Sequence, residues 1–283
     1  MEELEVRAYA KINLGLDVVR RLENGYHEVK MIMQTIDLYD TLTLHKTAGE
    51  VRLKTDSTEI PADADNLVCK AARLFKEETK TEGGIAIHLK KRIPVAAGLA
   101  GGSTDAAAVL RGLNTLYETG LTEQQLCAMG VRLGADVPYC IMGGTAIAEG
   151  IGEVLTKLPD APPMLLLLAK PDIAVSTKYV YENLKLSELK SHPDIEGIAE
   201  AIRRGDREGI LCRMDNVLQS VTEKQYPVVT KIKQFMDENG ALKALMSGSG
   251  PTVFGIYESK EAALLAKEKL GEQVSQVFVT AFR

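Results

Sequence analysis

The chain has 283 residues, enough for one large domain or two ordinary ones with a full apolar core. Hydrophobic residues make up 45% and charged residues 26%, the balance of a soluble globular protein. A net charge of −5 argues against a nucleic-acid binder, which concentrates basic residues on one face, and leaves open an anionic ligand in a local pocket.

The first predicted element is a strand over residues 6–18. Val6, Ala8, Ala10, Ile12, Leu14, Leu16 and Val18 are apolar at every second position, so one face is expected to be buried. Lys11 and Asn13 then project together from the other face. Asn24-Gly25 predicts a turn, with strands to follow over 28–38 and around 41–44. Ile85, Ile87 and Leu89 alternate again in a strand that ends near Arg92. A helix carries Ala106, Val109, Leu110, Leu113 and Tyr117 on one side. Thr122 and Gln125 have the form of a capping box for a further helix, which Gly134 is expected to close.

Pro159, Pro162 and Pro163 mark a linker, giving an expected N-terminal domain of 1–158 and a C-terminal domain of 159–283. Beyond it come a strand over 164–169, several helices, a strand pair at 242–246 and 252–257, a helix over 261–270 and a last strand over 276–281. That order predicts an α+β unit with helices covering an antiparallel sheet.

Cys69, Cys127, Cys140 and Cys212 form no C-x-x-C pair and have no His at ligand spacing, so reduced thiols in a cytoplasmic protein are expected rather than a disulfide or a metal site. His45, His88 and His192 have no partner at useful spacing. The acidic start lacks a basic-then-apolar leader, and the longest apolar run is too short to span a bilayer.

Between strand and helix lies Pro94-Val95-Ala96-Ala97-Gly98-Leu99-Ala100-Gly101-Gly102-Ser103-Thr104. Glycines let backbone N–H groups approach an anion, and the helix start adds its positive dipole end. Ser103 and Thr104 add hydroxyls. Neither the P-loop pattern nor the dinucleotide fingerprint is present, so phosphate charge must be met by amides, a metal ion and remote cations. The same residues also suit a plain turn, with Ser103 or Asp105 capping the helix.

The run 94–107 resembles the second signature of the galactokinase, homoserine kinase, mevalonate kinase and phosphomevalonate kinase (GHMP) superfamily. Ala10-Lys11-Ile12-Asn13-Leu14 is similar to its N-terminal motif, and Ser247-Gly248-Ser249-Gly250-Pro251-Thr252 to its third. Gly25-Tyr26-His27, Gly134-Ala135-Asp136-Val137-Pro138 and Gly143-Gly144-Thr145 resemble the branch that acts on a cytidine-diphosphate-linked methylerythritol. Ala100 stands where a further Gly is common, and Tyr9 where Pro is common; neither removes a needed donor or charge.

The resemblance implies a two-domain α+β GHMP kinase fold. Its N-terminal half would be like the ribosomal-protein-S5 domain and its C-terminal half ferredoxin-like, with the site in the cleft. It implies ATP and Mg²⁺ as cofactors and transfer of the γ-phosphoryl group to the 2-hydroxyl of that small-molecule partner, a step of non-mevalonate isoprenoid biosynthesis. It also implies residue roles. Residues 94–104 would hold the nucleotide, while Lys11 and Asp136 would act at the hydroxyl. Asn13, Tyr26 and His27 would hold the substrate, with Thr177 and Tyr181 as the opposite wall. On local grounds alone, Asp136 is equally a turn cap, Lys11 a solvated strand lysine, Thr177 a cap and Tyr181 core.

Overall fold

The computed structural model describes residues 1–189 and 191–283. Strands β1 (Glu3–Arg21) and β2 (His27–Thr47) are joined through Gly25, whose φ of +86° suits glycine. Then come β3 (Val51–Thr55), α1 (Leu67–Thr79), β4 (Gly84–Lys90), α2 (Gly101–Leu116), α3 (Glu123–Val131) and α4 (Val137–Met142). They are followed by β5 (Thr145–Glu149), β6 (Val154–Lys157), β7 (Leu165–Lys170), α5 (Thr177–Asn183), α6 (Ile195–Arg203) and α7 (Arg207–Arg213). The remaining elements are β8 (Asp215–Asn216), α8 (Gln219–Gln225), α9 (Pro227–Glu238), β9 (Lys243–Met246), β10 (Val253–Tyr257), α10 (Lys260–Gly271) and β11 (Gln276–Ala281).

Two compact units share these elements. The first comprises residues 1–10, 38–95 and 100–143; the second comprises 11–37, 96–99 and 144–283. In the first unit β3 runs parallel to β4, and β4 runs antiparallel to β2 from Thr41 opposite Lys90 to Thr47 opposite Gly84. Helix α2 packs on α1, α3 and α4. Asn66 starts α1 by accepting the Val68 N–H at 2.9 Å, and the Thr122–Gln125 capping box starts α3 with both reciprocal bonds in place.

In the second unit β2 pairs with β5 from Met31 opposite Ala148 to Gln34 opposite Thr145, and β8 lies parallel to β1 at Gly15 and Leu16. A separate antiparallel sheet has the order β11-β7-β10-β9, with α9 and α10 packed on it. This is the expected arrangement of helices on an antiparallel sheet.

Several local expectations change. The strands expected at 28–38 and 41–44 are one strand, because the polar Asp40 is buried and fully engaged rather than breaking it. Both faces of β1 are buried over residues 10–16, not one. The second face is covered by α6, which comes so near that a Cβ on Gly15 would lie 2.7 Å from Ile195 Cδ1 and from Ile198 Cδ1. Helix α2 starts inside the glycine loop, and α3 ends with Arg132 as its cap, two residues before Gly134. Periodicity had not marked α1, α4, β3, β5 or β6. Among the described residues no helix is long and apolar enough to cross a membrane.

Candidate active site

The glycine loop combines left-handed backbone with close approach. Ala96, Gly98 and Ala100 have φ of +50°, +75° and +57°. Within the second unit, the Ser247 hydroxyl donates to the Gly98 carbonyl at 2.9 Å, and the Lys11 N–H donates to the Leu99 carbonyl at 3.2 Å. A Cβ on Gly98 would run into the Ser247 carbonyl oxygen and lie 3.1 Å from the Gly250 oxygen, so only glycine fits.

In the first unit α2 opens on Ala100, with no side chain capping it. The expected alternative, a cap from Ser103 or Asp105, is not what the chain forms: Asp105 is buried elsewhere. The N–H groups of Gly101, Gly102 and Ser103 therefore have no intrahelical acceptor and stand at the positive end of the helix dipole. Gly102 is exposed and Ser103 half-buried. The Thr104 hydroxyl points inward and donates to the Tyr9 carbonyl at 2.6 Å, so it anchors the helix start. This backbone suits a polyphosphate.

Lys11 and Asn13 share a face of β1, and the Lys11 ammonium donates to Asn13 Oδ1 at 2.8 Å. Both are buried, so Lys11 is not a solvated strand lysine. The Asn13 amide donates in turn to Met31 Sδ at 3.2 Å. The β9–β10 turn lies beside them: a Cβ on Gly248 would be 3.2 Å from the Gly98 oxygen and 3.6 Å from Asn13 Oδ1. Asn216 holds that turn, its amide donating to the Met246 and Gly248 carbonyls at 2.8 Å each.

The start of β2 and α5 meet through His27 and Tyr181, whose ring centroids are 5.2 Å apart at a tilt of 34°. Thr177 opens α5, and its hydroxyl is 2.9 Å from that of Ser249. Ser176, not Thr177, caps α5. Tyr26 is 61% exposed, and its N–H donates to Asn24 Oδ1. Burial first, then the nearby Arg21 charge, hold the His27 imidazole below its ordinary range. A neutral imidazole offers one donor and one acceptor, which suits a base edge.

Asp136 precedes α4, and its side chain makes no capping bond to that helix. The other end of α4 is held by Arg111 from α2, which donates to the Cys140 and Ile141 carbonyls at 3.2 Å each. This short helix is thereby fixed in the first unit.

Sequence reasoning passed over Lys91, Asp40, Arg111 and Asn216, and read Asp105 only as a possible cap. Lys91-Arg92 read as a charged strand end, and nothing local shows that Lys91 bonds to two buried carboxylates. His192 also gains a partner, Asp17 Oδ1 at 2.8 Å, that lies 175 residues away in sequence. Among the described residues no group of three His, Cys, Asp or Glu could hold a metal ion.

Two family models match the chain: the GHMP kinases N terminal domain over residues 66–144 and the GHMP kinases C terminal over 190–276. A 4-diphosphocytidyl-2-C-methyl-D-erythritol kinase of Lachnospira eligens is 51% identical, covering 99% of this chain and 98% of that protein. A crystal structure of a 4-(cytidine 5'-diphospho)-2C-methyl-D-erythritol kinase superposes with a TM-score of 0.86 at 34% identity, over 99% of each chain. Homoserine kinase from Cytophaga hutchinsonii shares the fold, with a TM-score of 0.81 at 21% identity over 100% of this chain and 95% of its own.

Proposed function

The chain belongs to the GHMP kinases and, within them, to the 4-diphosphocytidyl-2-C-methyl-D-erythritol kinases, and on that basis we propose how its residues share the work. It is an ATP-using small-molecule kinase with the two-domain α+β fold of that family. Its reaction phosphorylates the 2-hydroxyl of 4-diphosphocytidyl-2-C-methyl-D-erythritol in non-mevalonate isoprenoid precursor biosynthesis.

Residues 94–104 hold the nucleotide, and the observation that carries this is the uncapped start of α2. Gly98 admits the backbone closely, the N–H groups of Gly101, Gly102 and Ser103 face the phosphates, and Thr104 anchors the turn. Mg²⁺ neutralises phosphate charge when bound. The Ser103 hydroxyl, on the first turn of α2, is the side-chain oxygen that would help hold it beside the phosphates.

Asp136 orients the acceptor hydroxyl and takes its proton; Lys11, steadied by Asn13, meets the charge of the transferring group. Phosphoryl transfer leans on positioning and charge stabilisation, so a carboxylate of modest basicity suffices. Asn13 also binds substrate. Tyr26 and His27 take the cytosine, with Tyr181 and Thr177 opposite. The C-terminal residues 159–283 carry the substrate-side wall, residues 1–158 the nucleotide and catalytic groups, and the enzyme works in the cytoplasm.

The test is ADP release from MgATP with the cytidyl compound, mevalonate and homoserine offered in parallel. Turnover confined to the cytidyl compound is expected. Asp136→Asn is expected to stay folded and bind ATP while kcat falls at least about a hundredfold. Near-normal turnover in that variant removes Asp136 from the mechanism.

A further inference from the structure

Lys91, Asp40 and Asp105 form a buried cluster inside the first unit, their side chains only 8%, 0% and 3% exposed. The Lys91 ammonium pairs with Asp40 Oδ2 and, at 2.8 Å, with Asp105 Oδ2. Asp40 Oδ1 accepts the N–H groups of Arg92 at 2.5 Å and Ile93 at 2.8 Å, the two residues that lead into Pro94. Asp105 lies on α2, four residues beyond Gly101. A Cβ on Gly101 would be 3.3 Å from the Lys91 nitrogen. The cluster thus touches the chain where it enters the loop and again where it leaves.

One atom of the cluster works against stability. Asp105 Oδ1 is buried with no hydrogen-bond partner, which costs folding free energy. Burial pushes the Asp105 carboxyl well above the usual carboxylate range, with Lys91 opposing and Asp40 adding to the shift. A well-packed apolar trio is often as stable as a buried ion group or more so.

We infer that Lys91 is a positioning residue for the nucleotide: by bridging Asp40 to Asp105 it clamps the two ends of the glycine loop and sets Gly101 and the open N–H groups of α2 at the spacing phosphates need. This rests on the proposed reading of that loop as the nucleotide site. The acids are the anchors of the clamp. Lys91 touches neither substrate nor reacting atoms in this scheme.

The experiment uses the full chain with three variants, followed by Tm, ATP binding and separate KM values for ATP and the cytidyl substrate. Asp105→Leu removes the orphan oxygen, keeps the branched shape and leaves Lys91 paired with Asp40, so no buried charge is stranded. It is expected to hold or raise Tm, raise KM for ATP about tenfold, and leave KM for the cytidyl substrate within about twofold. A structural role alone would not move the ATP KM of a variant whose Tm is undiminished, so an unchanged ATP KM there overturns the inference. If Asp105→Leu does not fold, Lys91→Arg, which keeps the charge but changes its reach, decides: an ATP-selective rise supports the clamp, and two unchanged KM values overturn it. Gly102→Asp separates the two readings. Its Cβ would meet only Leu67 Cδ1 at an ordinary 3.4 Å, and its carboxylate would face the phosphates. If Gly102→Asp loses ATP while Asp105→Leu binds it normally, the loop reading stands and the clamp fails. If Gly102→Asp also binds ATP normally, the loop reading fails and takes the clamp with it.

Discussion

The His27 and Tyr181 rings stand 5.2 Å apart, tilted by 34°, and join the first residue of β2 to helix α5 across 154 positions of sequence. Neither residue reads as a substrate ligand from its sequence neighbours alone. Together they make one aromatic wall of the second unit, with the Thr177–Ser249 hydroxyl pair one turn earlier on α5.

Tyr181→Leu is expected to raise KM for the cytidyl substrate by a factor between about 5 and about 160, the range of one lost stacking contact of about 1–3 kcal/mol. The KM for ATP should stay put. A double-mutant cycle with His27→Ala should show coupling of at least about 0.5 kcal/mol. Strict additivity would mean that the two rings do not act as one wall.

The depressed His27 pKa gives a signed expectation. Folded His27 binds its proton more weakly than unfolded His27, whose value is about 6.5. Its contribution is therefore fully present above that pH and is lost as pH falls through the lower, folded value. Urea titrations of wild type and His27→Gln at pH 7.5 and 5.5 test this. Wild type should lose more stability on acidification than the variant does. Equal losses would mean that another group carries the effect.

Gly98→Ala and Ala100→Gly should move in opposite directions. The first forces a Cβ against the Ser247 and Gly250 backbone at φ +75°, and should cost more than about 2 kcal/mol and weaken ATP binding. The second relieves an L-residue at φ +57° and should raise stability by up to about 1 kcal/mol. Thermal melts and ATP titrations read both.

Asn216→Ala should cost about 2–4 kcal/mol, since it strips the Met246 and Gly248 carbonyls and the Leu218 N–H of their buried partner. The loss should appear as a lower urea midpoint with an unchanged m-value. A change below about 1 kcal/mol would show that the β9–β10 turn holds its shape without that amide.

The sequence by itself determined whatever depends on neighbours along the chain. Alternation from Val6 to Val18 made β1, the Thr122–Gln125 pair made the start of α3, and Gly98 with the two glycines that open α2 made the loop, because dihedral preferences and capping bonds act over a few residues. Lys11 and Asn13 could be placed side by side for the same reason, since positions two apart on a strand share a face. Ordered motifs carried the family. Only the tertiary structure decided the burial of those two residues, because what meets them there is distant in sequence: Leu99 at the Lys11 N–H, and Met31 and the Gly248 turn at Asn13. It likewise decided that Asp105 is no cap and that Lys91 is no surface charge. A charged side chain's partners are set by which distant backbones the packed core brings within about 3 Å, and no local pattern encodes that distance.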